Sequence, residues 1–262
     1  MTFIEETPAR RKRHPIRNTI IVLVIIGALG TSGYLVADSL ARSFATTFVK
    51  GGVAQELGVS LNEVKVSLGK GSILQQVVHG RIDNLTVHVD QFTSGTLSGG
   101  AVLSATEVPL NTTDPTRSID ISLTVAASGL LGLVENSSGQ NQATVSFVGG
   151  DIRVSSKEKV LGHSFPVSID FAPTASGVNL ILTPQHIVLG SKSYTPTSLK
   201  KSKYGPFVSG LLNVRQECLA GGLPKGMQLE HIAVSDNALD IEAAGASLPL
   251  GSLSSKGTCP AS

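Results

Sequence analysis

The residues of this chain that could support acid–base or metal chemistry are scattered rather than grouped. The six histidines stand singly, with no helical metal-binding spacing and no neighbouring cysteine: His14, His79, His88, His163, His186 and His231. There is no Gly-x-Ser-x-Gly motif, and the glycine pairs lack the Lys and Ser/Thr of a phosphate-binding loop. Asp83 and Asp90 suggest a carboxylate pair, but carboxylates at a sheet edge are mostly solvated. The sequence therefore predicts a protein that is not an enzyme and has no metal site and no cofactor.

Two kinds of candidate binding feature remain. A basic cluster, Lys200, Lys201 and Lys203, precedes a predicted helix over Pro206–Leu219, and a basic loop at a helix N-terminus suits an anionic headgroup. A solvated turn is the alternative interpretation. Apolar side chains that could contact acyl chains, or else fill the core, recur on a predicted strand and two predicted helices: Leu85, Val87, Val89, Leu130, Leu131, Leu133, Phe207 and Leu211.

The elements that position these residues are mostly strands. Apolar and polar residues alternate with a period of two, which is typical of strands with one buried face, in Val64–Leu68, Ile82–Val89, Ala101–Leu110, Ile119–Val125, Ala143–Val148, Ile152–Val154, Val167–Phe171, Val178–Leu182 and His186–Leu189. A last hairpin should place Ile232 and Val234 opposite Leu239 and Ile241. The interruption at Asp83-Asn84 predicts a break in its strand.

Helices are predicted at three places besides the N-terminus. Asp38–Leu57 has Leu40, Phe44, Thr47, Phe48, Val53 and Leu57 at three- and four-residue steps, which predicts one broad apolar face. Ser128–Glu135 is a short apolar helix. Pro206–Leu219 begins with Gly-Pro and should place Phe207, Leu211, Val214 and Cys218 on one face. The pattern as a whole indicates a β-rich α+β domain.

An apolar run behind a basic cluster marks the N-terminus. Five basic residues precede residues 18–37, which contain no charge: Arg10, Arg11, Lys12, Arg13 and Arg17. As a helix, this run would extend about 30 Å, the thickness of the hydrocarbon core of a bilayer. Positive charge stays on the cytoplasmic side. Residues 1–17 are therefore predicted to be a cytoplasmic tail, 18–37 a single transmembrane signal-anchor and 38–262 a domain on the periplasmic side of the cell membrane. A cleaved signal peptide is the alternative, and it would export the same domain.

Charge and cysteine content limit the partners and the compartment. The formal charge of the chain is +2 and its N-terminal tail carries +3, so the exported part carries −1. No broad basic surface is left for nucleic acid. The only two cysteines, Cys218 and Cys259, both lie in the exported part, and an oxidising compartment favours a disulfide that fastens the C-terminal tail. Two separate thiols are the alternative.

Five segments carry a resemblance to a known family: Asp38–Leu57, Val64–Gly69, Ser72–Val89, Ser176–Gln185 and Leu223–Val234. Together they resemble the LmeA-like phospholipid-binding proteins of the actinobacterial envelope (lipomannan elongation factor A type), over about Asp38–Ala244. The resemblance implies a tubular lipid-binding architecture, in which one long curved antiparallel sheet wraps around helices. It also implies binding of phospholipids, including phosphoinositides, and a link to lipoglycan biosynthesis. In the first strand of the Ser72–Val89 segment, this chain has Ser72-Ile-Leu where many family members have Pro-Phe-Leu.

The function that fits these observations is a membrane-anchored, extracytoplasmic phospholipid-binding protein that supports envelope lipid or lipoglycan assembly or transport. Its expected partners are phospholipid, the membrane and envelope glycosyltransferases. Burial of acyl chains needs no polar constellation, which agrees with the scattered chemistry. The alternatives are a non-catalytic adaptor that organises envelope enzymes and an enzyme with a dispersed site. A dry tunnel lined by Leu, Ile and Val favours lipid binding, whereas a solid core with an exposed apolar patch favours the adaptor. Convergent His and carboxylate side chains in a cleft favour the enzyme.

Overall fold

The computed structural model describes residues 15–94, 97–130, 143–160, 163–202, 205, 212–235 and 237–259, with backbone alone at 15–32, 94, 97, 158–160 and 163–165. These residues form three helices of more than one turn: α1 (Pro15–Leu57), α2 (Ile73–Val78) and α3 (Pro196–Lys200). They also form twelve strands: β1 (Val64–Leu68), β2 (Arg81–Ser94), β3 (Leu97–Pro109), β4 (Ser118–Ala126), β5 (Thr144–Val148), β6 (Asp151–Val160), β7 (His163–Ser176), β8 (Asn179–Leu189), β9 (Lys192–Tyr194), β10 (Arg215–Cys218), β11 (Gln228–Val234) and β12 (Ala238–Ala246).

The strands form two antiparallel sheets. The first sheet has the order β1-β2-β3-β4-β12-β11, and the second has the order β10-β8-β7-β6-β5 with β9 beside β8. The two sheets adjoin where the backbone N–H of Leu229 on β11 donates to the carbonyl of Gly177, which follows β7. The expected β-rich α+β fold is therefore confirmed, but the expected single long sheet is wrong, because backbone pairing divides the strands into two sheets.

The period-two pattern located the strands well. The predicted hairpin is confirmed, since Ile232 pairs with Ile241 and Val234 with Leu239. β2 is not broken at Asp83-Asn84; its register shifts further along, between Val89 and Phe92. The two strands expected on either side of Pro184 are one continuous strand, β8. Proline is tolerated there because, among the described strands, β10 and β9 pair with the two ends of β8 and none pairs with the middle of that edge.

Two expectations about helices are wrong. The segment after Ser72 was expected in a strand but forms α2, whose first turn is capped by the Ser72 hydroxyl accepting from the N–H of Gln75. The helix expected over Pro206–Leu219 does not extend through Arg215–Cys218, which is strand β10 paired with β8. Residues 206–211 lie outside the described part. Of the short helix expected at Ser128–Glu135, residues 127–130 are helical and the rest is not described.

Helix α1 is held against the edge of the first sheet. Ala41, Ala45, Val49 and Val53 pack on the core, and the guanidinium of Arg42 donates to the carbonyls of Leu68, Gly69 and Gly71 at 2.9, 3.0 and 2.6 Å. The predicted membrane span, residues 18–37, falls mainly where the backbone alone is described. Within the described residues, no helix combines the length and the hydropathy that crossing a membrane requires.

The C-terminal segment is fastened to both sheets. Cys218 on β10 and Cys259 form the predicted disulfide, with Cα atoms 5.9 Å apart, so that prediction is confirmed. Before Cys259, the N–H of Gly257 donates to Leu223 O and the N–H of Gly251 donates to Thr112 O, near the start of β4. The segment therefore connects the edge of the second sheet to the first.

Candidate functional site

One face of the first sheet is apolar and, apart from Phe92 near one end of β2, carries aliphatic side chains. The strand registers place alternate residues of all six strands on this inner face: Val64, Val66, Leu68, Leu85, Val87, Val89, Ala101, Leu103, Ala105, Ile119, Ile121, Leu123, Val125, Ile232, Val234, Leu239, Ile241 and Ala243. Every member belongs to a single apolar cluster. No polar group interrupts it, so the face can contact hydrocarbon without desolvating a hydrogen-bonding group.

Part of this inner face remains accessible. The β2 residues Leu85, Val87 and Val89 are 7, 4 and 3% exposed, as in an ordinary core. Their neighbours along β3 and β4, including Leu103 and Ile121, are only half-buried although they point to the same side. A closed core would bury these central residues most deeply. The half-buried set, which we call the interior aliphatic surface, comprises Val66, Ala101, Leu103, Ile121, Leu123 and Val234.

The second sheet contributes to the same apolar cluster. Its inner face includes Val145 and Phe147 on β5, Val154 on β6, and Leu180 and Leu182 on β8, all half-buried and packed with the cluster of the first sheet. A separate buried cluster fills the other end of this face and is closed by Leu199 of α3: Val167, Ile169, Phe171, Ile187 and Leu199. The accessible aliphatic residues therefore come from both sheets, whereas α3 seals one end of the second.

The predicted lipid-contact residues fall in several places. Leu85, Val87 and Val89 lie together on the inner face of β2, and Leu130 is buried in the same cluster at 6% exposure. Leu131, Leu133, Phe207 and Leu211 lie outside the described residues. The pattern placed the β2 residues on the correct face, but the more accessible positions are on β3 and β4. No sequence signal separates these strands, because all of them alternate in the same way.

The predicted headgroup lysines lie beside a different helix from the one expected. Lys200 is the last residue of α3 and Lys201 its C-cap, and both are exposed. A helix C-terminus carries partial negative charge, which the lysines offset, so this end of α3 supplies no free N–H groups for an anion. Lys203 lies outside the described residues.

The outer, polar face of the first sheet carries a surface depression of about 360 Å³. Three carboxylates line it, from Asp120, Glu230 and Glu242, together with Ser104 and Ser122. Within the described residues, no group of His, Cys, Asp and Glu side chains has an arrangement that could hold a metal ion. The depression is therefore an acidic surface feature, and Ile121 and Ala243 also border it.

The most buried charges lie on the second sheet. The Nε of Arg153 on β6 donates to Oδ1 of Asp170 on β7 at 2.6 Å, and its terminal nitrogen donates to Oδ2 at 2.8 Å. Asp170 raises the pKa of Arg153 through this hydrogen bond, whereas desolvation, with the charge of Asp170, raises the pKa of Asp151. The bidentate geometry occupies both carboxylate oxygens, so the pair is suited to joining two strands rather than to proton transfer.

Helix α1 presents an exposed apolar stripe on the side away from its packed residues. Val36, Leu40, Phe44 and Phe48 recur every four residues and are 59, 66, 74 and 75% exposed, and the two phenyl rings stack with centroids 6.5 Å apart. Val53, expected on this same face, instead packs on the core. Soluble monomers rarely expose so many large apolar side chains in a row, so the stripe indicates a contact surface.

The comparison with protein families fits this geometry. Residues 36–244 match the model of the LmeA-like phospholipid-binding family. The chain belongs to this family. The match covers most of the chain, including α1 from Val36 and both aliphatic inner faces, and ends before the segment that contains Cys259. No curated protein matches the chain. No solved structure matches it either. Membership supports phospholipid as the ligand class and agrees with an aliphatic rather than a catalytic interior.

Besides the residues of the interior aliphatic surface, sequence reasoning missed one cation near this site. Arg215 was expected on a helix, but it lies on strand β10 opposite Leu182, and its guanidinium carbon is 5.9 Å from the centre of the Phe171 ring. A four-residue edge strand has too few residues for its alternation to be recognised. Only its pairing with β8 shows which way Arg215 points.

Proposed function

We propose that this protein is a membrane-anchored, extracytoplasmic protein that holds the acyl chains of phospholipid against the interior aliphatic surface. The observation that carries the proposal is the accessible centre of an unbroken aliphatic face in a member of a phospholipid-binding family. Each methylene transferred from water to such a surface contributes about 0.8 kcal/mol, so an acyl chain binds without polar contacts. The proposed architecture is tubular, with the two sheets enclosing the chains.

The decisive experiment maps where an acyl chain lies. The full-length chain, in membranes that contain a phospholipid with a diazirine on its acyl chain, is irradiated and the labelled peptides are identified. Peptides from β3 and β4, which carry Leu103 and Ile121, should be labelled. Label confined to residues 18–37 would contradict the proposal, because it would report bilayer contact alone.

A matched pair of variants tests the same surface. Leu103→Asn places an amide on the interior aliphatic surface, whereas Val102→Asn places it on the opposite face of the same strand at a similar degree of burial. The first variant should lose most of the co-purified phospholipid, measured as lipid phosphorus per protein, and the second should retain it. Val87 is a poorer site, because at 4% exposure a polar substitution there would damage the core. Equal retention by the two variants would contradict an interior site.

The anchoring proposal rests on the basic cluster before residues 18–37. Protease added to intact spheroplasts should degrade the chain beyond Asp38 and leave a short N-terminal fragment. Replacing Arg10, Arg11, Lys12, Arg13 and Arg17 with Ser should weaken this orientation. A C-terminal part protected from protease in wild-type spheroplasts would contradict the proposed localisation.

The exposed stripe supports a position close to the bilayer. It begins at Val36, just before the end of the proposed span, and continues the apolar surface of the helix as far as Phe48. Because the chain has no tryptophan, Phe48→Trp makes a single fluorescent reporter. In vesicles with brominated acyl chains its emission should be quenched, whereas Val148→Trp, at a hairpin end of the second sheet, should not be quenched. Equal quenching would contradict the orientation.

The stripe also favours the second candidate function, an adaptor that holds envelope enzymes such as glycosyltransferases by protein contacts.

A role in lipoglycan assembly follows from the proposed lipid binding and localisation. In the source organism, a chromosomal Leu103→Asn substitution should alter envelope lipoglycan, compared with Val102→Asn, if lipid binding is the operative activity. A change produced only by polar substitutions at Phe44 and Phe48 would favour the adaptor.

A further inference from the structure

Besides the exposed Lys192, which pairs with Leu189 at the end that α3 seals, one other cation with a described side chain lies on the inner face of the second sheet, Arg215. It lies on β10, the edge strand of that sheet, and its register partner is Leu182, one of the accessible aliphatic residues. Because directly paired residues project to the same side, Arg215 faces the apolar cluster and not the polar outer face. The position is at the rim of the interior, where the sheet ends.

The hydrogen-bonding state of Arg215 distinguishes it from the other arginines with described side chains. Arg42 donates to three backbone carbonyls, Arg81 and Arg117 both bind Glu107, and Arg153 binds Asp170. Arg215 lies over the ring of Phe171, 5.9 Å from its centre, and has no oxygen acceptor among the described residues. Arg215 as a residue is half-buried.

A planar guanidinium on an aromatic face is well placed to bind a phosphate. The guanidinium carbon lies 5.9 Å from the centre of the Phe171 ring, within cation–π range, and the N–H groups make no bond to a described oxygen. A phosphodiester offers two oxygens that match this edge with two parallel hydrogen bonds. The disulfide at Cys218 and the pairing with β8 hold the short strand β10, so the position of Arg215 is set before a ligand binds.

One opposing charge lies nearby. Glu217 is two residues along β10 on the same face, opposite Leu180, and it is exposed. Its Cα lies about 7 Å from that of Arg215, and the two side chains form no salt bridge. Glu217 should therefore weaken the attraction of Arg215 for an anion. Because it forms no salt bridge with Arg215, it does not occupy the position of that anion.

We propose that Arg215 binds the phosphate of the phospholipid whose acyl chains lie on the interior aliphatic surface. This assigns the headgroup end of the ligand to the β10 edge of the second sheet, and not to Lys200 and Lys201 at the end of α3. The inference rests on the proposed lipid-binding function. It adds that the protein selects lipids that carry a phosphate over neutral lipids with the same chains.

The test compares lipids that differ only in the phosphate-containing headgroup. Full-length protein is delipidated in detergent and incubated with mixed micelles that contain dioleoylphosphatidylglycerol or dioleoylglycerol, and retained lipid is measured by mass spectrometry. Arg215→Gln should weaken retention of the phospholipid about tenfold to a hundredfold, the size expected for losing a charged hydrogen-bonding pair, and leave dioleoylglycerol unchanged. Arg81→Gln, the same charge change on the first sheet, should alter neither.

Two further variants and a soluble competitor sharpen the result. Arg215→Lys keeps the charge without the planar fork and should give intermediate retention, and Glu217→Gln should increase phospholipid retention. Glycerol 3-phosphate should compete weakly; complete displacement of the lipid by this molecule at an equal concentration would show a site for free phosphate and overturn the assignment. Unchanged binding of dioleoylglycerol also shows that each variant is folded. If Arg215→Gln does not fold, Arg215→Lys takes its place in the comparison with wild type.

The failures of the two proposals can be told apart. Equal phospholipid retention by wild type, Arg215→Gln and Arg215→Lys overturns the role of Arg215 and leaves the interior lipid site intact. A wild-type protein that retains neither lipid overturns the proposed function itself. A wild-type protein that retains both lipids equally overturns the selection for phosphate.

Discussion

The carboxylate of Asp38, on α1, accepts a hydrogen bond from the hydroxyl of Ser72 at 2.8 Å. Ser72 is the N-cap of α2, and the same Asp38 oxygen accepts from the N–H of Leu74 at 3.0 Å. The Ser72 oxygen in turn accepts from Gln75 N–H and from the hydroxyl of Tyr34. One polar contact therefore joins the long helix to the start of the domain, directly beyond the proposed membrane span.

Replacing Ser72 with Ala should destabilise this junction. The substitution removes the side-chain cap of α2 and a partner of Asp38, and loss of a serine N-cap costs about 1 kcal/mol. Denaturant unfolding of the full chain should show this loss, with Ser43→Ala, on an exposed position of α1, as the control. A free energy of unfolding equal to that of the control would contradict a capping role.

The same junction predicts a pH dependence. The N–H of Leu74 and the hydroxyl of Ser72 lower the pKa of Asp38 below its ordinary value of 3.8. A carboxyl with a lowered folded-state pKa adds stability above its unfolded pKa and loses it as pH falls through the folded value. Wild type should therefore lose more stability than Asp38→Asn below about pH 4, measured by thermal unfolding at several pH values. Parallel pH profiles would rule out the contribution.

Removing the cation from the buried pair on the second sheet should have a larger effect. Arg153→Gln leaves the Asp170 carboxylate, 5% exposed, without its bidentate partner, and breaking such a pair costs about 3 kcal/mol. Arg117→Gln, which breaks an exposed pair with Glu107, should cost much less. The double variant Arg153→Met with Asp170→Leu should recover most of the loss. Similar costs for the two single variants would contradict the role of burial.

Asp151 should be a destabilising charge at neutral pH. It follows the hairpin glycines Gly149 and Gly150, whose φ values of 60° and 91° fit a two-residue turn between β5 and β6. Desolvation and the charge of Asp170 raise the pKa of Asp151, so the folded state binds its proton more tightly than the unfolded state. The stability of the folded state therefore falls as pH rises from the unfolded-state pKa of Asp151 to its higher folded-state pKa. Asp151→Asn should stabilise the protein by less than about 1 kcal/mol at pH 7 and not at pH 3. Destabilisation at pH 7 would contradict this sign.

The disulfide should stabilise the C-terminal segment more than the domain as a whole. Cys218 and Cys259 are 41 residues apart, for which chain entropy gives a maximum of about 4 kcal/mol. The hydrogen bonds of Gly251 and Gly257 already order the segment, so the loss in a Cys218→Ser, Cys259→Ser variant should be smaller. Limited proteolysis should cut this variant first after β12. A reductant should produce the same early cleavage in wild type but should not change the cleavage of the double Cys→Ser variant. A change in the double variant would mean that the reductant acts on something other than this disulfide.

Much of the first sheet could be predicted from the alternation of its residues. The β11–β12 pairing and the inward direction of Leu85, Val87 and Val89 follow from a period of two and a short turn, both of which are local. The path of β8 through Pro184 and the helical state of α2 could not be predicted. Pro184 lies where no described strand pairs with that edge of β8, and α2 is supported by Asp38, which is 34 residues before Ser72.

By itself, the sequence determined the class of the fold, the apolar face of each long strand, the disulfide and the family resemblance. These depend on residues close together in the chain, or on two cysteines with no other partner. The tertiary structure decided that the strands form two sheets, that Leu103 and Ile121 remain accessible while Val87 does not, and that Arg215 points inward. Each of these depends on which distant strand supplies the neighbour, and many pairings satisfy the same alternation, so only the folded arrangement selects one.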